Sequence, residues 1–427
     1  MDSIKQKIKG LLHQKLLKSF GVYTVAKVIN SSIPFLMLPI MTAYLSPTDY
    51  GTISMMTTIA AFVFPFISLN THSAILRRFY YKNDNIAQYI GCCIKMVMLS
   101  MFIVTVSFSI FSTPLSSFSA VPKLVLFFIP LYSFFCYFKE IVLFYWQVNG
   151  KSIKYGIYSV TATTVELLLA VLLIVVLGFN WTGRAISIFF TAFIFAIISY
   201  TVLKRSGLIE YTWSKEKAQH ALKYGIGLIP HAIGASLMTL ANRFFITNMI
   251  SIEETGLYGV ANSMASLLSF VTLSFNNAFV PWLFAKLSTN DENEKVKIVR
   301  LTYLYMIILF IIGVCAYIFI ATIFPVFINS NFHAATKYIP YLLIGFVFQG
   351  CYMMVTNYIL FIEKTHYLAS ITIVTGIISL FLNYLLIRKY AAIGASYAFA
   401  MTYIIYFFIT WIVAARTYKM PWLEIFK

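Results

Sequence analysis

Along the chain, apolar residues run in unbroken stretches of about 20 or more instead of alternating or recurring once per helical turn. Such runs fall near 20–44, 51–69, 89–111, 121–145, 156–178, 181–203, 224–248, 256–284, 298–327, 338–362, 366–388 and 392–414. Each is long enough for a helix to cross ~30 Å of hydrocarbon. The alternating segments of ~10 residues that a β-barrel needs are not seen. The pattern predicts twelve transmembrane helices. The run at 256–284 exceeds one crossing, so its ends are expected to protrude or tilt.

The polar stretch 204–223 divides the runs into six and six. The expected organisation is an amphipathic cytoplasmic segment over 1–19, a first lobe over 20–203, a cytoplasmic linker over 204–223, a second lobe over 224–414 and a cytoplasmic tail over 415–427. In the first segment Ile4, Ile8, Leu11, Leu12 and Leu16 share one face and lysines take the others, as in a helix lying on a membrane surface. The openings of the two lobes look alike. Ser19-Phe20-Gly21 precedes Thr48-Asp49-Tyr50-Gly51, and Lys223-Tyr224-Gly225 precedes Thr255-Gly256-Leu257-Tyr258-Gly259. Two six-helix repeats enter the membrane from the same side and are related by an axis along its normal. The predicted fold is therefore an all-α integral membrane protein of two six-helix lobes, related by a pseudo-twofold axis, around a central cavity.

Composition sharpens this picture. Charged residues make up 11% of the 427, against roughly a quarter in soluble domains. Five basic residues fall outside (Lys123, Arg184, Lys337, Arg388, Lys389) and four within spans (Lys27, Lys95, Lys139, Arg243) when both termini are placed in the cytoplasm. The other 23 of 32 then fall on the cytoplasmic side, as the positive-inside rule requires. A net charge of +18 scattered over short loops argues against a nucleic-acid partner and for membrane lipids. The five cysteines have packing rather than metal-ligand spacing, no nucleotide-binding motif is present, and neither a cofactor nor enzyme chemistry is expected.

Ionisable groups within spans are costly, and so they are the functional candidates. Lys27 shares a helical face with Thr24, Asn30, Ser31 and Pro34; aligning Gly21 with Gly225 makes it the counterpart of His231. Arg78 closes span two and Arg243 sits late in span seven beside Asn242. Lys27, Arg78, His231 and Arg243 are the expected substrate-binding residues, and their sign favours an anion such as a diphosphate. Glu166 is the one acid near mid-span and the expected site of any ion coupling.

Several stretches, in order along the chain, carry a family likeness: Leu45-Ser46-Pro47-Thr48-Asp49-Tyr50-Gly51, Arg78-Phe79-Tyr80, Thr255-Gly256-Leu257-Tyr258-Gly259-Val260-Ala261 and Phe279-Val280-Pro281-Trp282. The likeness is strongest from Lys364-Thr365 through Leu382-Asn383-Tyr384-Leu385-Leu386-Ile387 to Ala391-Ala392-Ile393-Gly394-Ala395-Ser396. In these stretches the chain resembles the polysaccharide-transporter (Wzx-type O-antigen and lipid-linked repeat-unit flippase) branch of the multidrug/oligosaccharidyl-lipid/polysaccharide exporter superfamily. The resemblance implies two six-helix lobes around a cavity. It also implies a bacterial inner-membrane protein that moves undecaprenyl-diphosphate-linked oligosaccharide to the periplasmic leaflet, working beside a polysaccharide polymerase or chain-length regulator. Where many relatives carry an Asp before the span-seven arginine, this chain has Asn242. The alternatives are a drug/cation antiporter of the same superfamily, which would want acidic cavity residues, and a membrane polymerase, which would want a large catalytic outer loop.

Overall fold

The computed structural model describes residues 21–22, 25–30, 32–79 and 85–422. The amphipathic segment expected over 1–19, together with Thr24, Ser31 and Tyr80, lies outside them. Among the described residues every regular element is helical, and twelve helices are long and apolar enough to cross a membrane. In chain order the helices are α1 (Val25–Tyr44), α2 (Pro47–Ser68), α3 (Thr71–Arg78), α4 (Ile86–Ile110), α5 (Ser112–Ser119), α6 (Lys123–Val148), α7 (Ser152–Val171) and α8 (Trp181–Arg205). They continue as α9 (Lys215–Met249), α10 (Ile252–Ala265), α11 (Leu267–Leu287), α12 (Glu292–Phe327), α13 (Ile339–Phe361), α14 (Thr365–Tyr390) and α15 (Ile393–Thr417).

Polar residues set the ends that the apolar runs leave open. Asn85, Asn180, Ser251 and Asp291 accept a hydrogen bond from a first-turn backbone N–H of α4, α8, α10 and α12 respectively. Leu69 and Asn70 turn into the left-handed region (φ 47° and 48°) and separate α3 from α2. The long run expected at 256–284 is two helices, α10 and α11, broken at Ser266. The expected linker is shorter than 204–223, because α9 already begins at Lys215.

The chain forms two compact units, and they depart from the expected 20–203 and 224–414. Unit one comprises the residues up to Ile40, Val63–Thr113 and Pro122–Ile229; unit two comprises Met41–Phe62, Pro114–Val121 and Pro230–Lys427. The first part of α2 thus packs with the second half of the chain, and the first part of α9 with the first half.

Local contacts explain both exchanges. In unit two, Gly51 of α2 and Gly256 of α10 bring two backbones together. A Cβ at Gly51 would strike the Ile252 carbonyl, and one at Gly256 the Pro47 carbonyl. The hydroxyls of Tyr50 and Ser263 lie 3.3 Å apart across the same seam. In unit one, the Arg77 guanidinium lies 5.6 Å from the Tyr224 ring centre, and the Tyr89 hydroxyl is 3.0 Å from His220 Nδ1.

The loop ahead of α9 is strapped to α4 in unit one. Asn85 donates to Glu210 at 2.7 Å, Thr212 donates to the same carboxylate at 2.6 Å, and Lys95 donates to the Tyr211 carbonyl. The Thr212 hydroxyl and then the Asn85 amide hold the Glu210 carboxyl below its usual range.

Candidate functional site

Helix α9 carries two of the expected basic residues into unit two, His231 and Arg243. They are twelve positions apart, about 18 Å along the helix axis, and form two separate sites.

Arg243 is half-buried, with its Nε sealed from solvent and without a hydrogen-bond partner. Among the described residues no carboxylate pairs with it. Of the two acids that open α10, Glu253 is exposed and Glu254 is already occupied: it accepts from Lys337 at 2.9 and 3.0 Å and from the Tyr338 hydroxyl. The phenols of Tyr258 and Tyr50 are near enough to interact electrostatically with the guanidinium. Tyr258 is 1% exposed, and its hydroxyl is buried with no partner. Asn242 donates to the Met238 carbonyl at 3.0 Å and leaves its own Oδ1 buried and unpartnered. The Arg243 Nε and the Tyr258 hydroxyl are thus donors with bonding capacity unspent, and the Asn242 Oδ1 is an unspent acceptor. Buried polar groups are ordinarily satisfied; the two donors are the groups that acceptor oxygens of a ligand could satisfy, and the amide oxygen is not.

His231 is bound on one side. Its Nδ1 lies 3.0 Å from Thr372 Oγ1 of α14. The Thr372 hydroxyl is 2.9 Å from that of Tyr406 on α15, which lies 2.7 Å from that of Tyr352 on α13.

Lys27 and Arg78 belong to unit one. Lys27 is exposed on α1. Beside it, Val25, Ala26 and Ile29 of α1 and Ile153, Ile157 and Val160 of α7 line a wholly apolar groove of about 530 Å³. The Arg78 guanidinium lies 5.5 Å from the Tyr89 ring centre. The structure thus places the four expected basic residues two and two, in separate units.

Glu166 differs from its expected isolation. Its carboxylate accepts from Arg184 of α8 at 2.8 Å, and Arg184 also donates to Ser187 Oγ at 3.3 Å. Arg184, expected in an outer loop, lies in the first turn of α8. The carboxylate is half of an ion pair.

Sequence reasoning missed His72, Tyr258 and the Thr372–Tyr406–Tyr352 hydroxyls, because threonine and tyrosine in an apolar helix read as packing residues. His72 of α3 stacks on Phe144 at 6.0 Å, with Phe64 at 5.5 Å and Tyr137 at 6.5 Å. Burial pushes its imidazole down to about 4. No group of three or more metal-ligating side chains occurs among the described residues.

Comparison with known proteins places this architecture. The sequence profile of the family described as "Polysaccharide biosynthesis protein" matches residues 16–288. An "Uncharacterized membrane protein" of Haemophilus influenzae is 24% identical over 86% of this chain and 89% of its own length. The "Lsg locus putative protein 1" of the same organism is 21% identical over 85% and 89%. Among solved structures, an inward-facing multidrug resistance MATE family transporter superposes with a TM-score of 0.74 at 14% identity, covering 92% of this chain and 98% of that one. An outward-facing MATE structure gives 0.60 at 16% identity, covering 94% and 95%. The fold is that of the MATE transporters, with two six-helix lobes. The chain belongs to the polysaccharide biosynthesis protein family, as a polysaccharide transporter of the multidrug/oligosaccharidyl-lipid/polysaccharide superfamily.

Proposed function

We propose that the protein is a flippase that carries undecaprenyl-diphosphate-linked oligosaccharide repeat units, of O-antigen or a related polysaccharide, from the cytoplasmic to the periplasmic leaflet of a bacterial inner membrane. Both termini lie in the cytoplasm, and the lobes alternate in access. No bond is made or broken, so the chain is a transporter and not an enzyme. A polysaccharide polymerase or chain-length regulator takes up the product.

The observation that carries this reading is Arg243: a guanidinium without a carboxylate, beside an unpartnered Tyr258 hydroxyl. A cation left uncompensated inside a membrane protein is stabilised when an anion arrives, and a diphosphate supplies charge and acceptor oxygens together. Lys27 and Arg78, in the other unit, are the basic groups proposed to meet the headgroup earlier in the cycle. The cation-antiporter reading needs acids free to bind a cation, whereas Glu166 and Glu254 are both engaged.

The test is complementation of a strain lacking its own repeat-unit flippase. The wild-type chain restores surface glycan and clears lipid-linked repeat units from the cytoplasmic leaflet. R243Q, at equal membrane abundance, lowers output about ten- to a hundredfold, the scale of losing a charge-assisted hydrogen bond. Normal glycan output from R243Q sinks the assignment of Arg243. A wild-type chain that restores no glycan but protects against toxic cations sinks the flippase reading itself.

A further inference from the structure

The hydrogen-bond pattern around His231 assigns its protons. Thr372 Oγ1 lies 2.6 Å from the Leu368 carbonyl, a separation that two oxygens keep only when the hydroxyl donates. With its one proton spent there, Thr372 can only accept from His231 at 3.0 Å, while Tyr406, 2.9 Å away, donates its own proton to Tyr352 at 2.7 Å. The Leu368 carbonyl, an obligate acceptor, also faces the imidazole. His231 is therefore the tautomer with hydrogen on Nδ1, and its Nε2 carries the free lone pair.

The residue is exposed. An open imidazole nitrogen facing hydrocarbon would forfeit a hydrogen bond, so this edge is expected to meet water. Protonating Nε2 would break none of the bonds behind the ring, because Nδ1 goes on donating to Thr372.

The site is rigid on its buried side. A Cβ on Gly234, one turn beyond His231, would stand 2.7 Å from the Thr372 carbonyl, so α9 and α14 touch backbone to backbone there. The Tyr352 and Tyr406 rings stack at 4.0 Å behind the pair. No charged group answers the imidazole from its neighbours. Thr372 faces it from α14, Tyr406 from α15 with Tyr403 beyond (6.3 Å between ring centres), and Tyr352 stands behind on α13. On α9 itself the titratable groups besides His231 are Lys215, Glu216, Lys217, His220, Lys223, Tyr224 and Arg243, of which Tyr224 is nearest along the chain at seven positions. Among the described residues no carboxylate pairs with His231.

We infer that His231 is the proton-binding site of the transport cycle, taking a proton at Nε2 from one side and releasing it to the other while Thr372, Tyr406 and Tyr352 hold the ring. This assigns proton coupling to a histidine of unit two in place of Glu166. It rests on the chain being a transporter and only in part on the flippase reading, so the two can fail separately.

Two measurements test it. In the first, the full-length protein labelled with ¹⁵N-histidine is placed in lipid nanodiscs and titrated by NMR between roughly pH 5 and 9, the range in which histidine changes charge. The resonance absent in H231Q should show hydrogen on Nδ1 and convert to imidazolium within that window. T372V should erase the tautomer preference. A resonance with hydrogen on Nε2, or one that never titrates, overturns the inference. In the second, surface glycan output of the complemented strain is followed while the transmembrane pH gradient is collapsed with nigericin. One proton per cycle makes a one-unit gradient worth about tenfold in accumulation ratio, so wild-type output should fall by up to that factor and H231Q should be low and indifferent to nigericin. H231Q as sensitive as wild type, or full rescue by the fixed cation of H231R, overturns the coupling role. If the wild type moves no glycan, the flippase reading has failed. The nigericin comparison is then made on ethidium efflux, where loss of nigericin sensitivity in H231Q supports the coupling role and retention of it overturns that role.

Discussion

Glu166 of α7 and Arg184 of α8 form an ion pair at 2.8 Å, with side chains 29% and 18% exposed. Two charges in apolar helices are tolerable together and costly apart. Neutralising either alone should therefore destabilise the protein by ~3 kcal/mol, read as a lower melting temperature in detergent. The double variant E166Q/R184Q should lose less than the two single losses added together. If E166Q leaves stability unchanged yet abolishes the response to a pH gradient, the carboxylate is a coupling group after all.

His72 predicts how stability depends on pH. Burial against Phe64, Tyr137 and Phe144 lowers its pKa from 6.5 to about 4. Between those values the unfolded chain holds the proton and the folded chain does not, so folding stability rises with pH across this window. The contribution is complete above pH 6.5 and is lost as pH falls towards 4, by about 3 kcal/mol in all. Melting curves collected from pH 7.5 down to 4.5 should show the decline. H72F should flatten this part of it; an unchanged slope in H72F would assign the acid sensitivity to other groups.

The contact of α2 with α10 predicts a steric effect. An added methyl at Gly51 meets the Ile252 carbonyl, which is backbone and has no rotamer to yield. G51A should therefore cost about 2 kcal/mol or more, seen as reduced yield of monodisperse protein. The paired prediction concerns exposed Gly150, beside which no atom would meet a Cβ. Its positive φ of 64° makes G150A a milder, conformational penalty of about 1 kcal/mol. Equal losses from the two variants would mean that the α2–α10 seam opens readily.

The twelve spans were legible because lipid imposes a length and a composition that survive in any sequence. Helix ends were not legible in the same way. Lys215–Lys223 continues α9 beyond the apolar run that starts at 224, and Glu292–Lys297 does the same for α12. Hydropathy marks where a helix meets hydrocarbon, whereas a cap such as Asp291 marks where it begins. The compact units were hidden for a related reason: the apolar run of α9 continues through the unit boundary at Ile229–Pro230, and only packing assigns Tyr224 to one unit and His231 to the other. At the candidate sites the charged residues announced themselves by their cost. Their hydroxyl neighbours did not, since nothing in the spacing of Tyr352, Thr372 and Tyr406 shows that three helices bring them to one hydrogen-bonded line.

The unpartnered hydroxyl of Tyr258 separates stability from transport. It is a buried donor with no acceptor, a loss of about 1–3 kcal/mol relative to a bonded group. Y258F removes that penalty and keeps the ring that meets Tyr338 at 5.6 Å, edge to face. Its melting temperature should therefore equal or exceed that of the wild type. If the hydroxyl and the Arg243 guanidinium together hold an anionic headgroup, the same variant should transport more slowly, by roughly tenfold for one lost hydrogen bond to a charged group. R243K should fall between wild type and R243Q, because an ammonium keeps the charge and gives up the fork. A Y258F protein that is more stable and equally active would show that the buried hydroxyl is a packing defect, and Arg243 would then have to hold its ligand without it.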